Sequence, residues 1–521
     1  MGPPSRCDRL LVANVSQQAA RWCCGRVNTG QAITAAPQPA PGTTPTLAAV
    51  PSLPAGFGVA LSPRTKVCDD GRTLVGASGR VMYLSPRAAG LVAGLPAEVG
   101  AGRDEQLLAR RLLDSGAADP WWAAPAGRDA DVADVTVVVP VHERADGLRR
   151  LLAALPDPVP VVVVDDGSAD AAPIAAVAAE HGARLVVHPE NRGPAAARNT
   201  GLHAAGTPFV AFVDSDVEPR PGWLAVLRRH LDDPTVAIAA PRVLGPVPRA
   251  DDSWVERYEQ ARSSLDLGEH AAAVRVHGQV AYVPSACLLV RVDALGDEGG
   301  GGFDEALRSG EDVDLVWRLL ADGWGVRYEP AAQVRHRHRS QPAQWLRRKA
   351  FYGASAAPLA ARHPGAVSPM VLAPWSAAMT AALLAQRRWS MPVALAAYAV
   401  ATARTAQRLQ RSDRPVAAAA TVVLEGSVAA LWQTSAALTR HYWPVAAAGC
   451  LVSRRARRAV LASAVLDGLA DHRRTRPRLD PLRYVVARRL DDLAYGTGVW
   501  RGALAARSLE ALRPSWVRST R

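Results

Sequence analysis

Across 521 residues, 49% are hydrophobic and 21% charged, which supports a substantial core and excludes a wholly disordered chain. At ~100–200 residues per domain the length allows one large enzyme domain plus smaller modules. The net charge is +13, and lysine occurs only at Lys66 and Lys349. Arginine therefore carries the excess, which suits phosphate ligands or an anionic membrane surface; a GC-rich genome would also produce an Ala- and Arg-rich chain. The six cysteines form no C-x-x-C pair, which argues against a disulfide scaffold or structural zinc and fits a reducing compartment.

Residues 1–56 are rich in Ala, Pro and Gly and predict a disordered leader. No continuous apolar run follows a basic start, so no secretory signal is expected. Residues 57–115 hold short β-type runs separated by Asp-Gly and Ser-Gly turns, then S-P-R-A-A-G-L-V-A-G-L with Ser85 as N-cap, then the amphipathic D-E-Q-L-L-A-R-R-L-L-D-S-G. Strands followed by two helices predict a small winged-helix-like module. It is either a packing domain or, because G-R-T-L-V-G-A-S-G-R-V-M-Y-L-S-P-R-A-A-G-L-V resembles peptide-recognition modules of the PQQ-chaperone type, a peptide binder that adds its ligand as a strand. Residues 116–132 read as a linker.

From 133 to 345 strands alternate with helices, which predicts an α/β domain with a mostly parallel sheet. Four apolar runs end in polar turns: 135–140, 159–168, 184–193 and 208–216. Buried parallel strands read this way, and ligands bind beyond their carboxyl ends. Residues 346–521 predict Ala-rich helices, with an uncharged run at 366–385 and apolar runs at 389–403, 415–439 and 443–453. Arginines flank both sides of each run, so they give no orientation. The region is either membrane-associated or a soluble bundle. Near its end, R-Y-V-V-A-R-R-L-D-D-L-A-Y-G-T-G-V-W reads as a helix, a Tyr-Gly-x-Gly turn and another helix.

Five places carry chemistry. Asp165 and Asp166 end an apolar strand and can accept hydrogen bonds from a base or ribose, or cap a turn. In N-R-G-P-A-A-A-R-N-T-G-L, Arg192 and Arg198 and a helix start can meet a diphosphate; a helix cap with a structural arginine reads the same. Asp214 and Asp216 close the next strand, a hard oxygen pair for a divalent ion or else a solvated turn. Glu311 and Asp312 begin a helix, where an acid can deprotonate an acceptor hydroxyl or simply cap. His336 and His338 follow on a strand, as a metal ligand or part of a basic patch.

Taken in order, V-x-V-V-V-P, V-V-V-V-D-D-G-S, N-x-G-x-x-x-A-R-N-x-G, D-x-D and G-E-D-x-D-L-x-x-R resemble the family 2 glycosyltransferases of the GT-A fold, over about 135–345. The resemblance implies a Rossmann-like GT-A domain and an inverting single displacement from a nucleotide-sugar donor. It implies Pro140 and Glu143 at the nucleotide pocket, Asp166 at the base, and Arg192 and Arg198 near the donor. Asp214 and Asp216 would serve ribose and metal, with Mg²⁺ or Mn²⁺ as the ion. Asp312 would be the general base, with Glu311 beside it, and His336 a metal or diphosphate contact. One departure is His142-Glu143, where the family commonly has an aromatic followed by Asn.

The layout as a whole, with L-P-A-G-F-G-V-A-L-S-P-R-T-K-V near its start, is similar to the mycofactocin-system glycosyltransferases. That resemblance implies glucose transfer from UDP-glucose onto premycofactocin, a peptide-derived redox cofactor precursor, building an oligoglucoside. The apolar, arginine-flanked C-terminal region gives the expectation of a cell-membrane location with the catalytic domain cytoplasmic. Two alternatives stand beside it: transfer to a lipid-linked or cell-wall glycan, and an inactive peptide- or nucleotide-binding scaffold. Basic charge is not interleaved with aromatics, so no nucleic-acid partner is expected.

Overall fold

The computed structural model describes residues 51–76, 80–124, 126, 132–156, 158–296, 301–337 and 341–516. Most of the 1–56 leader, and His338, lie outside them.

The N-terminal module contains two small antiparallel sheets. β1 (Gly58–Leu61) is flanked by β5 (Ala97–Glu98) and β6 (Ala118–Trp121); β2 (Lys66–Cys68), β3 (Thr73–Val75) and β4 (Val81–Tyr83) form the other. α1 (Pro86–Ala93) begins where the Ser85 hydroxyl accepts from the Ala88 amide. α2 (Arg103–Ser115) ends at Gly116, in the left-handed conformation that a glycine adopts without strain. Leu74, Leu112 and Leu113 are buried in its core. The linker expected at 116–132 is corrected at its front end, because Ala118–Trp121 pairs with β1. A-D-P-W has no strand pattern of its own; pairing and burial impose the strand. Arg110 of α2 reaches Asp233 of the central domain at 2.7 Å, both buried.

The central domain is α/β. The four marked runs are β7 (Val135–Val141), β8 (Val161–Asp166), β9 (Arg184–His188) and β10 (Phe209–Val213). They run parallel, in the order β10-β7-β8-β9. α3 (Ala145–Ala153), α4 (Ala172–Glu180) and α5 (Pro194–Ala204) connect them. Past β10 the nine-stranded sheet becomes mixed; the parallel part carries the first four predicted motifs, while the G-E-D-x-D helix and His336 belong to the mixed part. The sheet continues through β14 (Cys287–Arg291), antiparallel to both β10 and β12 (Val236–Leu244). The long β15 (Gly325–His336) runs parallel to β12 with two register shifts, and takes β11 (Val217–Pro219) and β13 (Ala272–Ala273) as antiparallel neighbours. Each shift bends the strand, and the far end of β15 arrives beside the end of β10. α6 (Trp223–His230), α7 (Trp254–Arg262) and α8 (Glu311–Ala321) complete the domain.

The C-terminal region is helical: α9 (Pro342–Ala354), α10 (Ala356–Arg362), α11 (Pro374–Ala385), α12 (Ser390–Arg408), α13 (Pro415–Ala436), α14 (Trp443–Val452), α15 (Arg454–Thr475) and α16 (Pro481–Ala505). The uncharged run 366–385 is not one helix. Val371–Leu372 (β16) pairs with Ser515–Trp516 (β17), and a helix starts only at Pro374, where the missing N–H is harmless. The Tyr-Gly-x-Gly turn is absent as well, since α16 runs unbroken through it. Those glycines serve close packing: a Cβ on Gly498 would collide with the Ala350 carbonyl of α9. Among the described residues, Pro415–His441 is the one helix long and apolar enough to cross a membrane.

A buried ionic network fastens these helices to α7. Arg262 pairs with Asp471 at 2.8 Å, and Arg488 meets Asp471 at 3.2 Å and Asp467. Lys349 pairs with Glu259 at 2.9 Å, and the Tyr258 hydroxyl donates to Asp491.

Candidate active site

The predicted residues converge where β7, β8 and β10 end. Beyond β7, Glu143 has a left-handed backbone, unusual for a side-chain-bearing residue. The turn after β8 supports it: the Glu143 amide donates to the Ser168 hydroxyl, and its carboxylate accepts from the Ala169 amide. Pro140 lies opposite Val164 in the β7–β8 ladder.

Asp165 and Asp166 point to opposite faces of β8, as strand alternation requires. Asp166 accepts from the Arg192 and Gly193 amides at 3.0 and 2.8 Å, and pairs with His188 at 2.8 Å. Its carboxylate thus fastens the 188–193 loop rather than standing open. Asp165 takes the Ser168 amide and hydroxyl on one oxygen; the other is buried with no partner among the described residues.

Arg198 is corrected from a free diphosphate clamp to an internal bridge. It is 3% exposed, because its guanidinium reaches Asp214 at 2.7 Å and Glu311 at 3.0 Å. The end of β10 and the start of α8 are thereby held together. A second link runs through the backbone: the Asp214 amide donates to Ala286, and the Ser285 amide donates to Asp312 at 3.1 Å. Arg192 is exposed and pairs with Glu305 at 3.1 Å.

Asp216 and His336 meet because Val217 faces His336 across the β11–β15 ladder. The His336 Nε2 lies 3.3 Å from the Asp216 carboxylate, and Arg144 pairs with the same group. Burial alone would raise the Asp216 pKa; the His336 hydrogen bond and Arg144 more than offset it and hold the group at about 2. Asp312 goes the other way. Burial, reinforced by the Glu311 charge, lifts it to about 7, against the Ser285 and Val313 amides and Arg198. A carboxyl titrating near neutrality can take a proton at physiological pH. The third acid of the motif, Asp314, is fully buried; it pairs with Arg318 one turn along α8 and ties that helix to Arg362 and His363 at the end of α10.

Residues 136–298 match the profile described as glycosyl transferase family 2. The pre-mycofactocin glycosyltransferase of Mycobacterium tuberculosis is 45% identical over 481 residues, covering 89% of this chain and 98% of that one. The chain belongs to the family 2 glycosyltransferases. The succinoglycan biosynthesis protein ExoU of Rhizobium meliloti is 32% identical over 212 residues, 36% of this chain and 58% of that one. A mannosyltransferase from Pyrobaculum calidifontis, solved with GDP-Man and Mn²⁺, is 23% identical and covers 61% of this chain and 90% of its own, at a TM-score of 0.36.

Several supporting residues of this glycosyltransferase escape a reading of motifs. His188 is half of a buried pair whose partner is a motif acid, and its place at the end of a predicted strand was the available signal. Arg144 and Ser285 carry no local pattern. Only the fold brings Arg144 to Asp216 and the Ser285 amide to Asp312.

Proposed function

We propose that the chain transfers glucose from UDP-glucose to a premycofactocin-like acceptor at a membrane surface, extending it to an oligoglucoside. The observation that carries this reading is the Asp214–Arg198–Glu311 bridge, which joins the D-x-D strand end to the start of the helix that bears Asp312. The 45% identity to a pre-mycofactocin glycosyltransferase over nearly the whole chain supports the acceptor. The N-terminal module supplies a surface for its peptide-derived part.

In the reaction, the acceptor hydroxyl oxygen attacks the anomeric carbon, the bond to the diphosphate oxygen breaks, and configuration inverts. Asp312 accepts the hydroxyl proton as general base, with Glu311 holding Arg198 beside it. Pro140, Glu143 and the Asp165–Asp166 turn face the nucleoside, with Arg192 at the mouth. A carboxylate and an imidazole, Asp216 and His336, fit a divalent ion, Mg²⁺ or Mn²⁺, while Asp214, held by Arg198, would serve the ribose. Among the described residues no third such side chain joins the cluster, so diphosphate and water oxygens would complete the shell. The ion would stabilise charge on the departing diphosphate.

A second reading, transfer to a lipid-linked or cell-wall glycan, is favoured by the exposed apolar side chains of the C-terminal helices. Incubating the purified chain with UDP-glucose, Mg²⁺ and premycofactocin, and weighing the product for hexose increments, tests the first. Hexose addition to a lipid-linked acceptor and none to premycofactocin would establish the second.

A further inference from the structure

We propose that this chain binds anionic membranes from one side, through a basic-collared apolar corner of its C-terminal helices, and that α13 does not cross the bilayer. This rests on the membrane-surface part of the function proposed above and specifies its geometry.

The corner is formed by two helix junctions far apart in sequence. At α11–α12, Trp389 and Met391 are exposed; at α14–α15, Leu451 and Val452 are 83% and 87% exposed. The Gln386 side chain donates to the Arg455 carbonyl at 2.8 Å, which sets the junctions side by side. Arg387 and Arg388 precede the first apolar pair, and Arg454 and Arg455 follow the second, all exposed. Arg457 and Arg458 extend the collar along α15. Apolar tips bordered by guanidinium groups match the headgroup–acyl boundary of an anionic bilayer, where the tips enter and the arginines pair with phosphate. A protein partner would need carboxylates around an apolar pocket and would not respond to lipid charge.

α13 is long and apolar enough to span, yet its contacts argue against it. Its one acid, Glu425, sits in mid-helix and pairs with Lys66 of the N-terminal module. Just before the helix, the Ser412 hydroxyl and the Asp413 amide donate to Asp69 of the same module. Towards its other end, Gln433 accepts from the Val371 amide. One side of the helix is thus bonded along its length to polar parts of the chain that cannot enter hydrocarbon. Val416, Leu424 and Leu431 recur at helical spacing and are exposed, a stripe suited to lying in the interface.

The test uses the full chain with vesicles of phosphatidylcholine alone or with phosphatidylglycerol, read by flotation, and carbonate extraction of membranes from the expressing cells. Binding to anionic vesicles is expected at least about tenfold tighter than to neutral ones, with release by carbonate. Leu451→Asp with Val452→Asp, and separately Arg454→Glu with Arg455→Glu, should each weaken binding by at least about tenfold at unchanged thermal unfolding. Retention in the membrane after carbonate, equal binding to both vesicles, or full binding by both variants would overturn the proposal. Hexose transfer to a soluble acceptor is measured without vesicles, so its failure would strike the proposed reaction and leave the membrane result standing.

Discussion

Two regions of the molecule bury charge, and they do so to opposite ends. In the C-terminal helices Asp467 faces Arg488 and Arg489, and Asp471 faces Arg262, Arg488 and Arg474. Burial would raise the Asp467 pKa, but the arginines hold it well below the usual carboxylate range. In the candidate active site, Asp312 has only amides and a shared arginine against burial and the Glu311 charge, so its pKa rises. Neutralised buried charge serves architecture; a buried acid left short of partners can exchange a proton.

The sharpest way to break this comparison is to remove one acid from each region. Asp312→Asn should lower kcat by about 10³-fold while leaving UDP-glucose affinity within a few-fold, checked by steady-state rates and calorimetry. Normal turnover would remove Asp312 from the chemistry. Asp467→Asn should leave kcat nearly unchanged but cost about 3–5 kcal/mol, seen in denaturant unfolding, because Arg488 keeps its burial and loses its main partner. An Asp467 variant as stable as the parent would mean that the network contributes no net stability.

The pH dependence sharpens the same contrast. A base must be deprotonated, so kcat/KM should fall roughly tenfold per unit below pH 7 and level off above it. Stability follows the opposite sign. The folded-state pKa of Asp312 is raised, so its stabilising contribution is present in acid and lost as pH rises through 7. Asp312→Asn should therefore raise the Tm at pH 8 relative to the parent, with a smaller difference at pH 5. Asp467 is depressed, so its contribution holds at neutral pH and is lost only in strong acid. The smallest effect is expected where the N-terminal module meets α13: Lys66→Met should cost about 1 kcal/mol, since that pair is partly solvated.

Much of the catalytic half was legible because its strands are buried on both faces. V-T-V-V-V-P and V-V-V-V-D-D-G-S are continuous apolar runs that stop at acids, and β7 and β8 form where they lie. Asp214, Glu311 and Asp312 were named, and Arg198 and the Ser285–Ala286 backbone link the elements that carry them, while Asp216 and His336 meet at the β11–β15 ladder. Arg198 was named for a ligand contact and instead bridges two acids, a distinction that depends on what surrounds a side chain. The Ala-rich third was less legible, since alanine and glycine carry little periodic signal. Gly496 and Gly498 look like a turn in sequence, yet they lie in one helix that must approach its neighbours closely.

By itself the sequence determined where buried strands begin and end, and which acids and bases sit at their tips, because continuous apolar runs and turn chemistry are local properties. The tertiary structure decided which of those groups neutralise one another and which are left short of partners. That depends on residues such as Arg198, Glu311 and Asp214, or Lys66 and Glu425, that lie far apart along the chain. Pairing energies between them exist only once the sheet and helices have brought them within a few ångströms.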